Sequence, residues 1–447
     1  MPNAELNKTL FKLSSIAECA RGNPAFEFLS LAHLLDADFL EHCYQNLDRN
    51  KAVGIDKVSW QEYGKDLEAN LEKLVISLKN KSYKPMPARR VYIPKGNGET
   101  RPLGISTIEN KIVESGLTTI LQSIYEEDFL DCSYGFRPLR STHQALNDVD
   151  KTIMKQPVGY LVEADIKGFF DNVSHDKLME FIKIRIRDSS LMFLIKRFLN
   201  AGYMDNNQLI KSDRGTPQGS ILSPTLANIF LHYVLDTWFE QTVKVHTKGF
   251  CKLIRYADDF ICLVQYKDDA LKIERALENR FAKFELELHP EKSRMFSFGR
   301  FEKQNALTSL RRANTFDFLG FTHFCDKTRK GYFKLGRKTS AKKFRAKCKE
   351  LNAWFKAIRN LIPTREWWKT LRAKLRGHFE YYGVSGNFPS ISKYYAIALR
   401  LAHKWLNRRS QKRKMSWSKL YIYLARHPLP TPCIRHNLYT LSTSSWS

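Results

Sequence analysis

Two adjacent acids interrupt an otherwise apolar stretch, Lys252-Leu-Ile-Arg-Tyr-Ala-Asp258-Asp259-Phe-Ile-Cys-Leu-Val264. Its flanks carry the residues strands favour and its centre a short polar break, so the stretch predicts a β-hairpin with Ala257-Asp258-Asp259 at the tip. Asp is common in turns for reasons of backbone alone. Two like charges between apolar strands nevertheless repel and need a counter-ion. A divalent cation supplies one: Mg²⁺ takes carboxylate oxygens and keeps water or phosphate oxygens as further ligands. Asp165 stands at the end of another predicted strand, beginning with Val158–Val162. If the two strands are neighbours in one antiparallel sheet, Asp165 and Asp258 converge on the same ions. Two such ions would clamp the attacking and leaving oxygens of a phosphoryl transfer.

Charge is spread unevenly. The chain has 447 residues and a formal charge of +27. From Asp326 to Ser447 there are 29 Lys+Arg against 4 acids, a balance of +25, so the first 325 residues carry only 27 − 25 = +2. Six of the eight Trp (354, 367, 368, 405, 417, 446) lie in the same stretch. Lys and Arg neutralise phosphates, and aromatic faces stack on unpaired bases, so nucleic acid is the expected partner, with most of these Trp in a helical core. A membrane surface is the competing partner, but the basic residues do not form one short amphipathic helix. No run approaches the roughly 20 apolar residues of a membrane span, and the start lacks the apolar region of a secretory signal. Eight scattered Cys without a C-x-x-C pair exclude the usual zinc modules and fit reduced thiols in a cytosol.

Periodicity places these features. Residues 60–79 carry apolar positions at helical spacing, as do 108–125. Between them, Val91–Ile93 and Leu103–Ile105 flank a Lys-Gly-Asn-Gly tip and predict a hairpin. A helix starts at about Ser174, another runs from Ser223, and a third spans about 268–286. Thr315–Phe321 is expected as one short closing strand. Beyond it the chain reads as basic helices split by Pro363, Gly383–Pro389 and Pro428–Pro432. Arg214-Gly-Thr-Pro-Gln218-Gly-Ser-Ile-Leu-Ser-Pro224 is a turn-rich loop entering the Ser223 helix; its glycines permit close approach to a ligand, and Gln218 could touch a base pair or sugar.

Tyr256-Ala-Asp-Asp259, the Pro217-Gln-Gly-Ser220 loop and Ala164-Asp-Ile-Lys-Gly-Phe-Phe-Asp-Asn172 together resemble the reverse transcriptases, most closely the group II intron-encoded reverse transcriptase/maturases. Arg101–Ile105, Ser133–Pro138, Leu288–Lys292 and Phe318–Phe321 look like further blocks, Gly54–Asp56 like the N-terminal extension and Leu371–Gly383 like the maturase-specific thumb. Trp405–Ser410 and His427–Pro430 match tails of bacterial members. The resemblance covers roughly residues 45–440 and is specific in combination, where each motif singly is not.

The resemblance implies an α+β right-hand polymerase: a helical N-terminal extension (1–85), fingers and a palm with an antiparallel sheet (86–325), an α-helical thumb/maturase domain (326–410) and a basic nucleic-acid-binding tail (411–447). It implies metal binding by Asp165, Ile166, Asp258 and Asp259, with Asp259 less direct, and two Mg²⁺ ions that Mn²⁺ could replace. Phe170 matches the side chain that blocks a ribose 2′-hydroxyl, Lys95 and Arg101 the residues that hold the incoming triphosphate, and Gln218 completes the nucleotide set. Lys292 matches a lysine proposed to protonate departing pyrophosphate. Phe318, Leu319, Gly320 and Phe321 resemble the primer grip. Arg137 is expected to fix the fingers or contact the template. Arg372, Lys374, Arg376, Arg408, Arg409, Lys412 and Arg413 are expected on RNA or DNA.

The activity implied by the resemblance is that of an RNA-directed DNA polymerase in a cytoplasmic bacterial ribonucleoprotein. It would bind a group II intron RNA, assist its splicing, and copy it at a DNA target from an RNA template, a DNA primer and dNTPs. Scattered Cys near the end imply no paired-Cys HNH endonuclease. Two alternatives remain: a same-fold enzyme in CRISPR-associated or phage-defence service, and a polymerase-inactive splicing factor.

Overall fold

Apolar residues at helical spacing become buried helix faces. Leu67–Lys79 buries Leu71, Leu74 and Val75. Ile108–Asp128 buries Ile112, Val113, Leu117, Ile120, Leu121 and Ile124 with no exposed surface. Thr107 caps that helix by accepting the Asn110 N–H, one of the donors a first turn leaves unpaired. Each fully buried Leu or Ile is worth about 2 kcal/mol, so this helix is the central post of its region.

The computed structural model describes residues 4–94, 100–211, 213–409 and 414–438. It divides into two units, one from Met1–Ser141, Val162–Cys262 and Asp268–Met295, the other from Thr142–Leu161, Leu263–Lys267 and Phe296–Ser447. Among the described residues the strands are β1 (Ala88–Pro94), β2 (Thr100–Ile105), β3 (Tyr160–Asp165), β4 (Tyr203–Asp205), β5 (Gln208–Ile210), β6 (Cys251–Tyr256), β7 (Asp259–Val264), β8 (Arg294–Ser297), β9 (Thr315–Phe318), β10 (Phe321–Lys327) and β11 (Phe333–Thr339).

In the first unit, β1 and β2 form the predicted antiparallel hairpin, with Val91 opposite Leu103. β4 adds to β1 in parallel and β5 closes the edge, in the order β2-β1-β4-β5. The helix Ile108–Asp128 packs against the N-terminal helices Ala4–Gly22 and Ala37–Gln45. A four-stranded sheet has the order β6-β7-β3-β8. The Gly159 N–H donates to the Val264 carbonyl at 3.0 Å, so the start of β3 lies beside the end of β7 and the two run antiparallel. From that bond, residues 159 to 165 of one strand run alongside 264 to 258 of the other. Asp165 therefore arrives beside the Asp258–Asp259 step.

In the second unit, β11-β10-β9 form an antiparallel sheet. The sequence predicts one strand over Thr315–Phe321; the structure makes two, because Leu319 and Gly320 take φ of 50° and 81° and turn the chain back on itself. The helices Ala341–Ile358, Thr364–Tyr382, Phe388–Asn407 and Trp417–Arg426 come next along the chain. Trp367, Trp368 and Trp405 are buried among them, whereas Trp417 is exposed. The sequence missed β11 inside this basic stretch. Its Arg337 is buried and ion-paired with Asp150 of the helix Thr142–Lys155, a pairing that a run of bases does not announce.

None of the eight Cys is in a disulfide. Among the described residues no helix is long and apolar enough to cross a membrane.

Candidate active site

The acidic turn is a two-residue link, Ala257-Asp258, between β6 and β7. Ala257 has φ of 57°, a left-handed conformation that costs a residue with a Cβ about 1 kcal/mol. The backbone of Gly135 lies directly against it: a Cβ there would fall 2.4 Å from the Ala257 nitrogen, so this position must be glycine. Asp258 is half-buried, and its carboxyl is pushed above the ordinary carboxylate range, first by burial and then by the like charge of Asp165. Arg101 and Lys292 oppose that shift. Four predicted residues therefore share one electrostatic neighbourhood.

Asp165 is reached from the other side. Its carbonyl accepts the His289 N–H at 2.7 Å, Ile166 bridges to Leu288, and Lys167 N–H donates to the Glu287 carbonyl at 2.8 Å. The Leu288–Lys292 block thus extends the sheet before turning through Lys292 N–H to His289 O at 3.1 Å. That turn lays the Lys292 ammonium on the Asp165 carboxylate. Lys292 is an exposed cation on a half-buried acid, so the pair is worth little to stability.

Among the described residues no three His, Cys, Asp or Glu gather closely enough to hold a metal ion. The resemblance implied three acids. Asp165 and Asp258 act on one another, and Asp259 follows as the first residue of β7. Two carboxylates forced into proximity, with their repulsion visible at Asp258, are a donor set that suits a hard divalent cation. Water or phosphate oxygens would complete its shell.

Beside the acids lies the loop Arg214–Pro224. Gly219, at φ of 110°, faces the Gly104 carbonyl so closely that a Cβ would sit 2.5 Å from it. The Gln218 carbonyl accepts the Gly104 N–H at 2.7 Å, and its side-chain Oε1 accepts from Arg101 Nε at 2.8 Å. Farther on, the buried Glu114 accepts from Ile221 N–H and the Ser106 hydroxyl, both at 2.8 Å. On the other flank, Thr216 N–H donates to the Phe170 carbonyl at 2.7 Å. An open cavity of about 220 Å³ lies against this loop, lined by Phe170, Arg90, Arg214, Gly215 and Gln218, among others. Phe169 next door packs on Phe230 and is a core residue.

Residues 93–323 match the family described as reverse transcriptase (RNA-dependent DNA polymerase), slightly more than half of the chain. The chain belongs to the reverse transcriptases. It is 45% identical over 203 residues to the group II intron-encoded protein LtrA of Lactococcus lactis subsp. cremoris, a match covering 45% of this chain and 33% of that protein. It is 41% identical over 171 residues to an uncharacterized 91 kDa protein in the cob intron of Schizosaccharomyces pombe, covering 38% and 21%. Protein YkfC of Escherichia coli K12 is 38% identical over 182 residues, covering 40% and 48%. The aligned region thus spans about a third of the length of the intron-encoded relative.

The remaining predicted residues of this reverse transcriptase fall in different surroundings. Lys95, Lys412 and Arg413 lie outside the described residues. Arg137 is buried. Its guanidinium donates to Glu126 (2.9 Å) and to the carbonyls of Leu130 (2.8 Å) and Ser133 (3.0 Å), which ties its own loop shut. In the second unit, Phe318 and Phe321 are buried around the Leu319-Gly320 turn, and Tyr381 donates its hydroxyl to the Leu319 carbonyl at 3.0 Å. Arg372 donates to the Pro428 carbonyl (3.0 Å), Arg409 to the Thr364 hydroxyl (2.8 Å), and Lys374 and Arg408 lie over Trp354 and Trp405. Arg376 is exposed.

Sequence reasoning passed over Arg255 and Asp236, which this reverse transcriptase buries completely beneath the acidic turn. A signal existed: each is a lone charge inside an apolar run, Leu-Ile-Arg255-Tyr and Val-Leu-Asp236-Thr, and isolated buried charges demand a partner.

Proposed function

We propose that the chain is an RNA-directed DNA polymerase that extends a DNA primer on an RNA template, and that Asp165 and Asp258 are its metal-holding carboxylates. The observation that carries this reading is their convergence from two strands, with Arg101 and Lys292 in the same field. A divalent cation bound there would lower the cost of charge building on the reacting phosphate. Asp259, and Ile166 through its backbone, stand at the margin of that pair.

The other residues position and select. Phe170 forms one wall of the cavity beside Gln218, where an aromatic ring under the sugar leaves no room for a 2′-hydroxyl. Gln218, held by Arg101, faces the nascent base pair, while Arg101 and Lys95 draw the triphosphate. Lys292 Nζ, released from Asp165 once substrate fills the site, donates a proton to the departing pyrophosphate. In this reading residues 86–325 are fingers and palm, Phe318–Phe321 grip the primer, and 326–410 are the thumb.

The intron-encoded name of the Lactococcus relative extends the proposal to the partner: a group II intron RNA that the basic helices hold during splicing and reverse transcription. Primer extension on an RNA template, with Mg²⁺ or Mn²⁺, tests the chemistry. Wild type should give product and Asp258→Ala none; absence of metal-dependent product from wild type refutes it. Sequencing the RNA that co-purifies with the protein tests the partner, and RNA without an intron refutes that half.

A further inference from the structure

We infer that Arg255 is a positioning residue, one that fixes the acidic turn so that Asp258 meets Asp165. The inference rests on the proposed role of those two acids. Arg255 has no exposed surface. Its Nε donates to Asp236 Oδ1 at 2.7 Å, and its Nη2 to the second oxygen of the same carboxylate. Its Nη1 donates twice more, to Asn228 Oδ1 at 3.1 Å and to the Ala257 carbonyl at 3.0 Å. That last bond is the informative one. Ala257 is the left-handed residue immediately before Asp258, so the guanidinium holds the very peptide that orients the acid.

The anchor reaches further. Asn228 Nδ2 donates to the Gly135 carbonyl at 2.7 Å, and Gly135 is the residue pressed against Ala257. The Arg255 backbone donates to Cys132 O at 2.7 Å and accepts from Tyr134 N–H at 2.9 Å. Arg255 thereby ties the turn to the helix carrying Asn228 and Asp236 by its side chain, and to the 132–135 segment by its backbone and through Asn228. The fork geometry is essential: a guanidinium holds five donors fixed in one plane and here makes four bonds, whereas an ammonium has three donors and no fork.

The helix is shaped for this contact. Ser223–Leu231 is α-helical, but His232–Asp236 is π-helical. Eight residues of α-helix would carry Asp236 about 80° past the face of Asn228. A π turn takes more residues per revolution and removes most of that offset, bringing both acceptors onto the guanidinium. A purely structural ion pair would need only Asp236; the bond to the turn itself is what assigns Arg255 to the site.

The test compares Arg255→Lys, Asn228→Ala and Asp258→Asn with wild type in the full chain. Lysine keeps the charge beside Asp236 and loses the fork. Arg255→Lys should lower kcat about 100-fold, the scale of a small misplacement of a reacting group, with KM for dNTP changed no more than about twofold. Mn²⁺ binding, measured by electron paramagnetic resonance without nucleic acid, should weaken about tenfold. Asn228→Ala should show the same split at about a tenth of the effect, and serves where the lysine variant does not fold. A folded Arg255→Lys or Asn228→Ala with wild-type kcat and wild-type Mn²⁺ affinity overturns the inference, even if its melting temperature falls. Should Asp258→Asn remain active, the reading of the acids fails first; should it be dead while both other variants act as wild type, only the role of Arg255 fails.

Discussion

The acid-bearing end of the β6-β7-β3-β8 sheet and the basic helices beyond residue 326 handle charge in opposite ways. At the sheet three ion pairs form at short range: Asp165 with Lys292, Arg255 with Asp236, and Arg294 with Glu163. Over the whole stretch Asp326–Ser447 that contains the helices, 29 cations share 4 acids. Asp326 faces Lys334, Glu350 faces Lys347 and Glu380 faces Arg435, and those few carboxylates cannot neutralise the rest. The first arrangement depends on geometry and, at the fully buried Arg255–Asp236 pair, is shielded from salt; the second is a summed field that no single residue controls. On the proposed function, chemistry belongs to the first and grip to the second.

Four experiments press on this contrast. The largest effect is expected from Asp165→Asn, which should cut primer extension about 10³-fold or more while leaving the Kd for RNA within about twofold. A parallel loss of RNA affinity would merge the two regions' roles. Salt should act in reverse. Between 50 and 200 mM, RNA affinity should fall about 10³-fold for six or more phosphate contacts, with kcat at saturating RNA little changed. Neutralising Arg372, Lys374 and Arg376 together should flatten the log–log slope by about 2 to 3. Next in size, Phe170→Ala should narrow the preference for dNTP over rNTP by about tenfold, read from kcat/KM for the two; an unchanged ratio would remove Phe170 from the nucleotide site.

The smallest effect concerns stability. A carboxyl whose folded value lies above its unfolded one takes stability away once the pH passes the unfolded value, as at Asp258. Without divalent metal, Asp258→Asn should therefore melt higher than wild type at pH 7. The difference should vanish at acid pH, where both forms are neutral. A variant that melts lower at neutral pH would show that the acid is already compensated.

Much of this contrast was legible because it lay in local pattern. Alternation and turn chemistry place β3, β6 and β7, and a two-residue break between apolar flanks leaves Asp258 nowhere to go but the tip. The basic excess is a count. What escaped depends on partners remote in the chain. β4 and β5 are three residues each and exist because β1 offers an edge to Tyr203 and Met204. The Leu319-Gly320 turn needs a left-handed leucine that no propensity favours. No local pattern gives Arg137 its partners, Glu126 and the Leu130 and Ser133 carbonyls. Lys292 shows only as a motif residue; the backbone pairing of residues 287–289 with 165–167 is what carries it to Asp165.

The widened turns at His232–Asp236 and Phe239–Val243 impose a hidden length constraint on anyone re-engineering this enzyme. Deleting one residue from either would relax the segment to a regular spiral and tidy its internal bonding. Straightening the first to regular α-helix at its present length would instead swing the carboxylate at 236 about 80° around the barrel of the helix, away from its guanidinium. Efforts to harden the protein by idealising its helices should therefore spare this one, where irregularity is the part that must be copied.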